Sequence, residues 1–120
     1  MKKYFLILCV LSLSTNALAV QKEIPLKKGM TYQKADLKLR RSGWSSRTMH
    51  AKHEYTYIGI ENTMLGHGVK GIEGCAGDRP VCVLHYAKGN LCLRLITWGE
   101  EFADLKVDNW DRVRPPKDAL

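Results

Sequence analysis

Two cysteines seven residues apart, followed at once by two apolar runs, constrain this chain more than any other feature. Cys75-Ala76-Gly77-Asp78-Arg79-Pro80-Val81-Cys82 reads as a closed loop that opens into a β-hairpin. The expected strands are Val81–Ala87 and Leu91–Trp98, turned at Lys88-Gly89-Asn90. A two-residue turn at Lys88-Gly89 sets Leu84 opposite Leu93 and His85 opposite Cys92. Strand side chains alternate between faces. Cys82, Leu84, Leu91, Leu93 and Leu95 then share one face, and Cys92, Arg94 and Ile96 take the other.

That alternation chooses among the cysteine pairings. Cys82 and Cys92 point to opposite faces and cannot bridge, so Cys75–Cys82 is the expected disulfide and Cys92 a buried thiol acting as a small hydrophobe. Closing so short a loop is worth roughly 2–3 kcal/mol on chain-entropy grounds. The opposed faces also separate Cys82 from His85, which excludes a thiolate–imidazole pair in this register.

The N-terminus sets the compartment. Met1-Lys2-Lys3 is a positive start, Tyr4 to Leu13 an apolar run, and Ala17-Leu18-Ala19 a small-x-small cleavage site. Residues 1–19 therefore read as a secretory signal peptide, too short in its apolar run to span a membrane. Cys9 lies inside that run and lacks the small residue a lipid-modification box needs before it. The export pattern implies a periplasmic or secreted protein, where a disulfide persists. Without the signal, 17 basic residues face 12 acidic ones. That leaves an acidic protein or an anionic envelope component as partner and disfavours nucleic acid; the bland reading is solubility.

About 101 residues remain, enough for one small core. The expected organisation is one domain over 20–114 with a frayed tail at 115–120, because Pro115-Pro116 cannot continue a ladder. Gln21 to Lys28 is a polar lead-in. Thr31 can cap a helix whose buried face is Tyr32, Ala35 and Leu39, with Lys34, Lys38 and Arg41 on the solvated side. Gly43 stops it as a left-handed residue, and Trp44 folds back onto the core. Ser45 to His53 reads as a loop, Tyr55 to Leu65 as a strand or a short helix, and Gly66 to Gly71 as a flexible glycine-rich loop. A third strand is expected from Phe102 to Val113, with Leu105, Val107 and Val113 on one face. Trp110 breaks that alternation and calls for a bulge or a strand end near Asp108-Asn109. The fold class is α+β: one helix, with room for a second short one, packed on an antiparallel sheet of three to four strands and held by one disulfide.

Gly29-Met30-x-Tyr32, Gly43-Trp44, Cys75…Cys82, Gly89…Leu91 and Thr97-Trp98-Gly99-Glu100 resemble a set of small exported proteobacterial proteins with a Gly-Met-x-Tyr start, a helix ending in Gly-Trp, a Cys…Cys loop and a hairpin. The first half is also similar to the helix opening of small outer-membrane-assembly lipoproteins and of β-lactamase-inhibitor-like modules. The resemblance implies a helix-plus-antiparallel-sheet fold and an exported compartment, and it carries over no catalytic residue.

Chemistry-bearing patterns are sparse. His50-x-x-His53 has metal-like spacing, but a structural zinc site wants four ligands, so neither metal nor cofactor is expected. Glu100-Glu101 lies in a turn and makes no glycosidase pair. Arg112 and Arg114 with Trp110 form a basic-aromatic cluster whose bland reading is edge protection around one core Trp. The expected function is a non-catalytic exported binding protein of inhibitor, immunity or envelope-factor type, using Lys34, Lys38, Arg41, Trp110, Arg112 and Arg114. The alternative is a small periplasmic enzyme or ligand-binding module built on His50, His53 and His67.

Overall fold

A computed structural model describes residues 24–116; the expected signal peptide and the end of the tail lie outside them. The chain is α+β: two helices, α1 (Tyr32–Arg41) and α2 (Ile60–Gly66), and an antiparallel sheet of five strands. The strands are β1 (Ser45–Ser46), β2 (Ile72–Cys75), β3 (Val81–Lys88), β4 (Leu91–Trp98) and β5 (Lys106–Asp111). The count exceeds the expected three to four because two short strands share one edge of β3. β1 pairs with Tyr86 and Ala87, and β2 with Cys82 to Leu84. β4 and then β5 lie on the other side of β3.

The hairpin forms with its turn one residue later than expected. Lys88 still pairs with Leu91, so Gly89-Asn90 are the central residues. Gly89 has φ +57°, and the first central position of a primed turn demands a positive φ that Lys88 would resist. The cross-strand partners move by two, to Leu84↔Leu95 and His85↔Arg94. A shift of two leaves every side chain on its expected face. Cys75 and Cys82 are direct cross-strand partners joined by the disulfide, and Cys92 is a buried free thiol.

Both helices pack their buried faces into one core with Ile72, Cys82, Leu84, Tyr86, Leu93 and Leu95. Tyr32, Ala35 and Leu39 are the buried positions of α1, and the Thr31 hydroxyl accepts the Lys34 N–H at 3.3 Å. α1 ends as its glycine requires. With Gly43 at φ +91°, its N–H donates to Arg40 O and the Trp44 N–H to Leu39 O. This is the double bond of a Schellman stop, and it drives Trp44 into the core at 5 % exposure. α2 stops in the same way: Gly68 has φ +84° and donates to Leu65 O, while the Val69 N–H reaches Met64 O and Val69 is buried.

Three expectations in the remaining segments change, and one open alternative is settled. Ser45–Ser46 leaves the expected loop to form β1, because Trp44 anchors it beside β3. Ile60–Gly66 is the helical outcome of the Tyr55–Leu65 stretch, and Tyr55 and Tyr57 lie in the loop before it. Gly71 is not part of a flexible loop. It is buried, its carbonyl accepts the His85 N–H at 2.8 Å, and a Cβ there would collide with His85 O. Phe102–Asp104 is a 3-10 turn, so the last strand is shorter than expected and Val113, past its end, is 49 % exposed. The bulge at Asp108 is present: Ile96 pairs with Asn109 and Thr97 with Val107. The edge of β5 is capped by the lead-in, where Gly29 and Tyr32 donate to Val107 and Leu105 carbonyls.

Two substitutions test this packing. Trp44→Ala is expected to destabilise by about 3–5 kcal/mol, the range for removing a buried large aromatic; an unchanged denaturant midpoint would place Trp44 outside the core. Gly71→Ala is expected to cost about 1–3 kcal/mol as an overpacked backbone approach, read as a lowered urea midpoint with the fold retained.

Candidate functional site

Helix α1 presents two different long faces. Lys34, Lys38 and Arg41 lie exposed along one, as the helical spacing requires. The last turn therefore carries Lys38, Arg40 and Arg41, which also suits the negative end of the helix dipole. The C-terminal segment reaches the same end of the molecule. The Arg112 guanidinium lies over the Trp44 ring, 5.3 Å from its centroid. An Arg114 terminal nitrogen donates to Asn90 O at 3.4 Å, and Lys88 Nζ donates to Ser42 O at 2.7 Å. The hairpin turn, the end of α1 and the start of the tail thus form one basic pole. Sequence spacing places its cations in two separate patches; the fold joins them.

The aromatic partner in that pole differs from the expected one. Trp110 stands across from Leu95 and packs against the core, so Arg112 stacks on Trp44 instead. The alternation break at Asp108 turns Trp110 inward. No local signal in the sequence links Arg112 to a residue 68 positions earlier.

A cleft of about 460 Å³ opens beside Trp44, lined by Arg40, Trp44, Ser45, Ser46, Gly68 and Lys70. It lies between the two helix stops, because the Gly43-Trp44 and Gly68-Val69 reversals bring the ends of α1 and α2 to its two sides. A smaller hollow of about 230 Å³ continues it through Arg40 and Gly68 to Tyr32, Asp36, His67 and Phe102. Asp36 connects this cleft to the core. Its Oδ1 accepts the buried Tyr86 phenol at 2.7 Å, and its Oδ2 faces Arg40 Nε at 2.9 Å. Burial pushes the Tyr32 phenol up to about 12 and raises Tyr86 further, with the Asp36 charge adding to both. Both phenols are hydrogen-bond groups and neither is a base. Asp36 raises the Arg40 pKa, so this guanidinium stays charged. The cleft was not legible in the chain order, although Gly68-Val69 repeats the Gly43-Trp44 stop and carries the signal for its second side.

The three histidines do not share a pocket. His67 stacks on Phe102 at 4.0 Å in the smaller hollow. His50 stacks on Tyr55 at 3.8 Å and donates through Nε2 to Glu73 O. His53 is exposed at φ 72° in the same segment. Among the described residues, no group of three or more His, Cys, Asp or Glu side chains could hold a metal ion, and no helix is long and apolar enough to cross a membrane. The disulfide is consistent with an oxidising compartment.

The opposite end of the sheet is acidic. A hollow of about 350 Å³ at the disulfide loop is lined in part by Asp78, Arg79, Pro80 and Glu100, with Glu101 and Asp104 following in chain order. Near it, Glu61 is 2 % exposed. Its carboxylate accepts from the Tyr55 hydroxyl, the Ile58 N–H and the Cys75 N–H at 2.9–3.0 Å. It ties α2 to β2 and is fully employed in structure.

Comparison with known proteins returned no match among family models, curated proteins or solved structures.

One buried titratable group yields a test. His85 is 1 % exposed on the sheet face away from the main core; Nε2 faces Glu73 Oε1 at 3.3 Å and Nδ1 has no partner among the described residues. Burial lowers its pKa, outweighing the opposing pull of Glu73, and Arg94 and Arg47 lower it further. The folded state therefore favours the neutral ring. Its contribution is whole above the unfolded value of about 6.5 and is lost as pH falls through the lower folded value. Urea midpoints for the wild type are expected to fall as pH drops below the unfolded histidine value of about 6.5, more steeply than for His85→Gln. Parallel curves would remove His85 from the acid response.

Proposed function

We propose that this chain is a non-catalytic exported binding protein, of inhibitor, immunity or envelope-factor type, which takes an acidic partner on its basic pole. The observation that carries this reading is the meeting of three basic segments at one end of the sheet: the last turn of α1 with Lys38, Arg40 and Arg41, Lys88 on Ser42 O, and the tail with Arg112 on Trp44 and Arg114 on Asn90 O. Such a pole steers an acidic surface into register and raises the association rate. Lys34 extends it along α1. The periplasm, the resemblance to small exported proteobacterial proteins and the absence of a catalytic role belong to the same proposal. An anionic envelope component is the other ligand of this charge.

The test is a partner captured by the mature protein and titrated at low and high salt. Exposed charges act over a Debye length of roughly 8 Å at physiological salt. Affinity is expected to fall as salt rises, mainly through slower association. The Lys34→Glu/Lys38→Glu pair is expected to weaken binding while leaving stability within about 0.5 kcal/mol, and the Arg112→Glu/Arg114→Glu pair to weaken binding as well. Salt-independent binding, indifferent to both reversals, would move the contact to the surface around Tyr55 and Tyr57.

A further inference from the structure

Arg40 differs from the other cations of the pole in how it is held. Its Nε lies 2.9 Å from Asp36 Oδ2. The other oxygen of that carboxylate is occupied by Tyr86, itself 1 % exposed and anchored in β3. The series Tyr86–Asp36–Arg40 runs from the core to the surface and tethers the guanidinium through Nε, leaving its terminal nitrogens free of that carboxylate and 54 % of the Arg40 side chain exposed. A tethered guanidinium loses less freedom on binding an oxyanion than a free one does.

What Arg40 faces is equally specific. The 460 Å³ cleft beside it is lined by a second cation, Lys70, by Ser45 and Ser46, of which Ser46 turns its hydroxyl to the α1 face of the sheet, and by the Trp44 indole; among the described residues no carboxylate lines it. Asp36 lines the adjoining hollow instead. The end of α1 does not compete for these cations, because its carbonyls are taken by the Gly43 and Trp44 N–H groups and by Lys88 Nζ. Two positive charges and one neutral hydroxyl donor around an open volume match the oxygens of an oxyanion.

We infer that the cleft between the two helix stops seats one oxyanion group, a carboxylate or a phosphate, with Arg40 as its anchor. Lys70 and the Ser46 hydroxyl, which shares the Tyr86 face of the sheet, complete the set of donors. This rests on the reading of the basic pole as a binding surface, and it names the chemistry of one contact within it. Arg40 and Lys70 make that contact, whereas Lys34 and Lys38 act only through their field.

The test is an NMR titration of ¹⁵N-labelled mature protein with sodium phosphate, and separately with glutarate, at constant ionic strength. Saturable shifts are expected at Ser45, Ser46, Gly68, Lys70 and the Arg40 side-chain N–H. Arg40→Gln is expected to weaken binding roughly tenfold or more, as for loss of a charge-assisted hydrogen bond, while Lys34→Glu/Lys38→Glu leaves the site saturable. Lys70→Gln carries the same test if Arg40→Gln disturbs the fold. Saturation by phosphate alone assigns the seat to phosphate, and saturation by glutarate extends it to carboxylates; either supports it. Shifts that spread over all basic residues without saturating, or binding indifferent to both Arg40→Gln and Lys70→Gln, would overturn it. A partner that binds independently of salt while phosphate still saturates would sink the proposed function and spare the seat; the reverse result would sink the seat alone.

Discussion

The hydrogen bond from Tyr86 to Asp36 joins the two layers of this protein. A buried phenol without an acceptor costs on the order of 1–3 kcal/mol; Asp36 is the nearer of the two partners that α1 offers Tyr86, at 2.7 Å against 3.4 Å for the Tyr32 hydroxyl. This bond agrees with the rotation that the apolar face of α1 already sets. With Asp36 turned to the sheet, Tyr32, Ala35 and Leu39 enter the core, and Lys34, Lys38 and Arg41 are left in solvent. Arg40, one turn beyond Asp36, is held at the mouth of the cleft by the same carboxylate. Packing and surface chemistry therefore share one residue.

Charge is separated along the sheet. β3 runs from Val81, beside the acidic disulfide-loop end, to Lys88 at the basic pole. At about 3.3 Å per residue the two ends stand roughly 23 Å apart. That is well over a Debye length at physiological salt, so each end acts on a partner nearly independently. A mixed surface of the same net charge would orient nothing. Here the separation follows from topology: the hairpin turn, the helix stop and the exit of β5 meet at one end, and the loops that carry Asp78 and Glu100 meet at the other.

The sheet is also protected against unwanted pairing. The lead-in covers the β5 edge through Gly29 and Tyr32, the bulge at Asp108 bends the strand, and Asn109 Oδ1 accepts the Trp110 N–H. Such devices keep an edge from templating aggregation. Together with the short β1 and β2, they leave the exposed surface to side-chain chemistry.

Where periodicity is local, the sequence by itself determined the outcome. The α1 face, its Gly43-Trp44 stop, the sidedness of the hairpin and hence Cys75–Cys82 follow from alternation and from the φ that glycine permits, which need no distant partner. Only the tertiary structure decided the rest. Tyr55 to Gly71 carries weak periodicity, and its structure comes from Glu61 reaching Cys75 and from Gly71 pressed against β3. The exchange of Trp110 for Trp44 beneath Arg112, and the merging of two basic patches into one pole, join residues dozens of positions apart. Such contacts are set by how strands and helices stack in space, and the spacing of residues along a chain does not encode that directly.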